Sequence, residues 1–144
     1  MKALVQRVSR ASVRIEGETV AAIGQGLLVF LGVAHEDTAT DAEWLAGKVR
    51  ALRVFPDSRG RMNEPLGDRE ILCVSQFTLY GDARRGNRPS YVRAAPPELA
   101  EPLYERFCAL LGAKRGVFGA SMEVELVNEG PVTLVVESPQ RAEC

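Results

Sequence analysis

Residues 2–33, KALVQRVSRASVRIEGETVAAIGQGLLVFLGV, decide the fold class. Residues 2–8 alternate, with Ala3 and Val5 between polar neighbours, which is the period of a strand with one buried face. Residues 12–16 and 19–23 alternate in the same way, and Glu16-Gly17-Glu18 forms a turn between them. Residues 27–33 are continuously apolar but too few for a core helix, so they read as a fully buried strand. Four strands therefore precede any helix, which is not the regular strand–helix alternation of a parallel sheet.

Working outward, Thr40-Asp41-Ala42-Glu43 carries a capping-box pattern that opens a helix. Ala42, Leu45, Val49 and Leu52 fall on one face of it. Asp41 and Glu43 stand at its start and Lys48, Arg50 and Arg53 toward its end, complementing the helix dipole. Val54-Phe55 reads as a short strand and residues 56–60 as a turn. Residues 70–79 read as a strong strand, and residues 81–93 as a loop rich in arginine and glycine. A second helix is expected over 97–111, with Leu99, Leu103, Phe107, Leu110 and Leu111 toward the core. Pro97 suits its first turn, Gly112 suits its end, and Pro102 calls for a kink or a later start. Residues 122–127 and 132–137 alternate as two more strands, joined by Asn128-Glu129-Gly130-Pro131. The expected fold is α+β, a largely antiparallel, barrel-like sheet with about two main helices, in a single domain over residues 1–144.

A formal net charge of −1 means that any contact with nucleic acid is local rather than spread over the whole surface. The longest apolar stretch, residues 27–34, falls far short of a membrane span, and the N-terminal segment lacks the apolar core of a secretory signal. A cytoplasmic, membrane-free protein is expected. Cys73, Cys108 and Cys144 are odd in number and form no CxxC, so neither a disulfide framework nor a zinc site is indicated. Cys73 and Cys108 read as small buried hydrophobes, and Cys144 as an exposed thiol.

A single histidine, His35, restricts the chemistry further. It follows a buried strand and reads as an exposed loop residue. It has no GxSxG elbow to serve as a base. There is no Walker A pattern, no GxGxxG and no clustered set of metal ligands. No metal and no cofactor are expected. An enzyme built from this sequence works with backbone groups, hydroxyls and the substrate itself.

Two segments stand out. Ser75-Gln76-Phe77-Thr78-Leu79 lies in CVSQFTLYGD, and Asn128-Glu129-Gly130-Pro131-Val132-Thr133 follows VFGASMEVELV. Taken alone, the first is an ordinary strand and the second a tight turn, which Gly-Pro favours anyway. Together, in this order and at this length, they resemble the SQxxL and NxGPxT signatures of the D-aminoacyl-tRNA deacylase (D-tyrosyl-tRNA(Tyr) deacylase) family. The resemblance continues through MKALVQRVSRASV, IGQGLLVFLGV, RGRMN and GNRPSYVRAA. The family often has Asp where Glu129 stands and Phe where Tyr91 stands, and Cys144 has no counterpart in it.

The resemblance implies an ester hydrolase that releases D-amino acids, and glycine mischarged on the alanine tRNA, from aminoacyl-tRNA. Ser75, Gln76 and Thr78 would form the catalytic segment. Backbone amides there would stabilise the oxyanion, and Phe77 would belong to the same pocket. Thr78 is a candidate nucleophile, but no activating base is evident, so it is expected to position rather than attack. Phe118 would stack on the terminal adenine, with Gly119, Ala120 and Met122 beside it. Gly130-Pro131 would be a cis peptide whose carbonyls, braced by Arg7, enter the pocket of a second subunit and reject L side chains. The resemblance thus implies a homodimer with its active site at the interface, and the aminoacyl-tRNA 3′ end as partner. Arg84, Arg85, Arg88 and Arg93, with Lys2, Arg7, Arg10 and Arg14, form local basic clusters. By default these are solvated faces, and alternatively a phosphate-contacting rim. Two competing readings are a non-catalytic binder of single-stranded RNA 3′ ends and a structural dimerisation domain.

Overall fold

The computed structural model describes residues 1–140, so Cys144 lies outside the described residues. The chain opens with one long strand, β1 (Lys2–Ile15), where two were expected. The reason is a bulge. Ser9 and Arg10 are both exposed while Val8 and Ala11 are both buried, so the alternation slips by one and resumes. The register against the last strand shifts between Val8 and Arg10, and an extra residue of this kind bends a strand without ending it.

This strand organises the sheet. Along one edge it pairs antiparallel with β8 (Glu123–Glu137), from Lys2 to Arg14. Its other edge is shared. β2 (Glu18–Ile23) pairs with residues 11–15, and β3 (Gly26–Gly32) with residues 2–8, both antiparallel. Beyond β3 the pairing becomes parallel, first to β6 (Glu70–Ser75) and then to β7 (Lys114–Arg115). The sheet is therefore mixed, its antiparallel half centred on β1. The parallel half was concealed because the crossover from β3 to β6 carries a helix and a small hairpin of β4 (Phe55–Pro56) and β5 (Met62–Glu64). Lys114 Nζ donates to the Ala22 carbonyl at 3.0 Å, so the two far strands β2 and β7 meet and the sheet is nearly closed into a barrel. Backbones come closest at Gly26, where a Cβ would lie 1.8 Å from the Glu70 carbonyl oxygen.

Helix α1 (Ala39–Ala51) begins two residues earlier than the Thr40 cap predicts. Thr38 is the cap, and the Asp41 carboxylate accepts its backbone N–H at 2.8 Å. Ala42, Leu45 and Val49 are buried as expected, and Leu52 packs on the core's margin. Helix α2 (Pro97–Leu111) starts at Pro97 and includes Pro102, so the later start is not found. Gly112 ends it with φ 59°, a left-handed conformation suited to glycine. Leu103, Phe107 and Leu111 are buried, while Leu110 faces out.

Both helices cover one face of the sheet, and Leu45, Phe107, Leu111, Val5, Val29 and Ile71 belong to the core between them. A smaller cluster of Val8, Ala11, Val13, Ile23, Leu28, Leu72 and Val74 fills the barrel side. Cys73 and Cys108 are buried as expected. No helix among the described residues is long and apolar enough to cross a membrane.

Candidate active site

The strand expected to reach Leu79 stops at Ser75. Gln76 donates a last ladder bond to the Leu31 carbonyl at 2.7 Å, and Phe77–Tyr80 then coils into a 3-10 turn. Gly32 explains where the turn goes. A Cβ there would stand 3.1 Å from Leu79 Cβ and 3.2 Å from the Tyr80 ring, so the turn folds back over the end of β3 into space that only glycine leaves. Leu79 N–H bonds the Gln76 carbonyl at 3.2 Å, which places the Phe77 and Thr78 amides at the open end of the turn.

A cavity of about 560 Å³ opens beside this turn. One wall is Ser75, Gln76 and Phe77. The facing wall is Phe118, Gly119, Ala120 and Met122, more than forty residues further along the chain. Phe118 is half-buried and backed by Tyr104, with ring centroids 5.9 Å apart. The Tyr104 hydroxyl in turn donates to the Cys73 carbonyl at 3.0 Å, tying that wall to β6. Gly119 has φ 77°, which an L side chain rarely adopts. Met122 occupies space left by Gly116, where a Cβ would meet its Sδ at 2.6 Å.

Thr78 is exposed and, unlike Ser75, Gln76 and Phe77, is not among the residues that line the cavity. Its hydroxyl accepts a 2.5 Å hydrogen bond from Gln76 Nε2. Neither atom of an amide is a base, so this partner can orient the hydroxyl but cannot take its proton. His35 is exposed and occupied elsewhere, with Nε2 2.9 Å from the Val92 carbonyl. Among the described residues no group of three or more His, Cys, Asp or Glu could hold a metal.

Arg7, Gly130 and Pro131 form a second group outside the cavity lining. Strand β8 pairs Thr133 with Gln6 and Asn128 with Val8, so the residues between leave the ladder, with Gly130 and Pro131 exposed and Val132 returned to the core. The Gly130-Pro131 peptide is cis. Arg7 grips the turn through Nε to the Glu129 carbonyl at 3.3 Å and Nη2 to the Gly130 carbonyl at 3.2 Å. Its Nη1 holds the Val54 carbonyl at 2.6 Å. Asn128 completes the brace, donating to the carbonyls of Arg7 at 2.9 Å and Val132 at 3.1 Å.

The basic residues divide by partner. Arg14 pairs with Glu125 at 2.9 Å. Lys2 lies over the Tyr80 ring at 4.8 Å and donates to the Leu79 carbonyl. Arg84 clasps the Asp82 carboxylate at 2.7 Å, which holds that carboxyl down at about 2. Arg85 and Arg88 have no ion pair or hydrogen bond among the described residues.

The sequence reading missed part of the site. Tyr91 lines the cavity, and Ala94, Ala95, Pro97 and Ala100 floor it. The signal was the small-residue run Ala94-Ala95 ahead of α2, since small side chains leave volume where a helix meets a sheet end.

Comparisons with known proteins cover almost the entire chain. The family model described as D-Tyr-tRNA(Tyr) deacylase matches residues 4–137. A protein of Desulfatibacillum aliphaticivorans named D-aminoacyl-tRNA deacylase is 59% identical over 145 residues, 96% of this chain and 99% of its own. One of the same name from Thermotoga petrophila is 55% identical, covering 96% of this chain and 97% of its own. A solved structure named c-Myc DNA Unwinding Element Binding Protein superposes with a TM-score of 0.92 at 45% identity, covering 97% of this chain and all of that one. With matches of this depth across fold and motifs alike, the chain belongs to the D-Tyr-tRNA(Tyr) deacylase family of ester hydrolases.

Proposed function

We propose that this protein hydrolyses the ester bond of D-aminoacyl-tRNA, and of glycyl-tRNA mischarged on the alanine tRNA, releasing the free amino acid and tRNA in the cytoplasm. The observation that carries this is the cavity joining the Ser75-Gln76-Phe77 wall to the Phe118–Met122 wall. An aminoacyl ester is already reactive, so a site that orients it and steadies its developing oxyanion is sufficient. Losing one such donor typically costs about 10²–10³ in rate. The Phe77 and Thr78 amides are the donors, Gln76 and Thr78 orient the ester, and Phe118 stacks on the terminal adenine. Such stacking is worth about 1–3 kcal/mol per base.

Selection against L-amino acids would come from the turn of a second copy. In this reading the protein is a homodimer, and the Gly130-Pro131 main-chain oxygens, steadied by Arg7, face the partner's cavity. Strand β8 pairs only with β1 and leaves Val127, Leu134 and Val135 exposed along this edge of the sheet, which supports a second copy as its cover. A filter that excludes a side chain cannot exclude glycine, which has none.

The test is release of free amino acid from D-Tyr-tRNA, Gly-tRNA and L-Tyr-tRNA by the purified protein without added metal. The first two should be hydrolysed and the third spared. Equal rates on the D and L forms refute the filter, and no release from any refutes the activity. The solved structure at 45% identity bears the name of a DNA unwinding element binding protein, which favours a second reading, a non-catalytic nucleic-acid binder. That reading expects binding without release.

A further inference from the structure

Tyr91 lies outside both sequence motifs, yet it lines the cavity beside Phe77. The two rings meet edge to face, with centroids 5.2 Å apart and planes at 71°. Phe77 is 56% exposed and sits at the start of a short turn, so few other groups hold its side chain. Tyr91 is 40% exposed, but its ring has a seat and its backbone is held on either side. A Cβ on Gly81 would lie 2.9 Å from Tyr91 Cε1, so its ring rests on bare main chain. The φ of Gly81 is −64°, so glycine stands there for space rather than for backbone conformation. Just before Tyr91, Ser90 and Asp82 exchange two 2.8 Å backbone bonds that close the 82–90 loop. Just after it, Ala94 N–H donates to the Tyr91 carbonyl at 3.1 Å and Ala95 N–H to the Val33 carbonyl at 2.9 Å, anchoring the return leg to the end of β3.

We propose that Tyr91 is a positioning residue for the deacylation reaction: its ring, seated on Gly81, holds Phe77 in the orientation that forms the cavity wall against the aminoacyl end. The inference rests on the deacylase reading above and adds to it the link from the arginine loop to the catalytic segment. An isolated exposed phenylalanine samples several rotamers. An edge-to-face partner favours one of them by an amount equivalent to about a three- to tenfold population change. That bias acts on ground-state binding, so it appears in KM rather than in kcat.

The experiment is a double-substitution cycle. Turnover of D-Tyr-tRNA is measured for the unsubstituted protein, Tyr91→Ala, Tyr91→Phe, Phe77→Ala and the Tyr91→Ala/Phe77→Ala pair. In parallel, calorimetry measures binding of a non-hydrolysable 3′-amide analogue of D-tyrosyl-adenosine. Tyr91→Ala should raise KM and Kd about three- to tenfold with kcat changed by less than about twofold. Tyr91→Phe should restore both constants, and the double variant should be no worse than Phe77→Ala alone. Additive losses in the double variant, or a Tyr91→Phe as weak as Tyr91→Ala, would overturn the proposal. Tyr91→Leu keeps an apolar side chain there without a ring and replaces Tyr91→Ala should that variant fail to fold. If the unsubstituted protein binds the analogue but releases no amino acid, the deacylase reading fails alone and the binding cycle decides the role of Tyr91. If it binds nothing, both fail.

Discussion

The hydroxyl of Thr78 receives its hydrogen bond from an amide, and that single contact separates two mechanisms. A nucleophile needs an acceptor for its proton, and Gln76 offers none. If Thr78 only orients the ester, removing its hydroxyl costs one hydrogen bond, so Thr78→Ala should lower kcat/KM by about tenfold or less. If it attacks the ester, the same change should cost about 10⁴-fold or more, with binding retained. Steady-state kinetics on D-Tyr-tRNA, read beside analogue affinity, separates these outcomes. The same residue-level view explains the buried cysteine of β6. Burial pushes the Cys73 thiol well above its ordinary value, so Cys73 is packing rather than chemistry.

Among the elements, the loop between the 3-10 turn and α2 is closed by the Asp82–Ser90 backbone pair, and its first turn is clasped by one carboxylate. Asp82 accepts Arg84 N–H at 3.0 Å, Nε at 2.9 Å and Nη2 at 2.7 Å. These bonds, Arg84's side chain foremost, lower the Asp82 carboxyl from 3.8 to about 2. A group with a depressed folded value contributes order that is fully present above its unfolded value and is lost as pH falls through the folded one. The Asp82–Arg84 clasp should therefore be fully formed above pH 3.8 and open as pH falls toward about 2. The Arg84 and Ser90 amide resonances, followed from pH 6 to about 2, check this. Asp82→Asn should remove the transition. A midpoint near the ordinary carboxyl value would show that the clasp does not form in solution.

On the scale of the whole molecule, net charge is −1 and many basic side chains are already partnered. Arg14 is tied to Glu125 and Arg84 to Asp82, so neither is free to neutralise a phosphate. Arg85 and Arg88, on the loop that carries Tyr91, are among those left. If they contact the phosphates of the acceptor end, tRNA affinity should fall linearly with salt on logarithmic axes. The slope should become shallower by about 1.5 in an Arg85→Ala/Arg88→Ala variant, given about 0.7–0.9 per phosphate contact. Filter binding over a salt series measures it. Arg14→Ala should leave the slope unchanged, and a slope equal in all three proteins would remove the loop from the interface.

Much of the architecture could be read from local pattern. The alternation in β1 and β2, the apolar run of β3, the Pro97 start and Gly112 end of α2, and the exposure of His35 are properties of neighbouring residues and their solvent. What escaped is what distant segments do to one another. The Ser9-Arg10 bulge keeps β1 whole only because β8 lies alongside. The 70–79 run stops at Ser75 because Gly32, on another strand, leaves room for a turn. The parallel pairing of β3 with β6 depends on a crossover whose helix and hairpin mask it. The motifs were likewise legible as residues, but the sequence alone could not bring Ser75 and Phe118 to one cavity or seat Tyr91 against Phe77. Periodicity and capping are set within a few residues by backbone geometry and burial. Cavities and aromatic contacts are set by long-range packing, where the absence of a side chain on one strand decides the path of another.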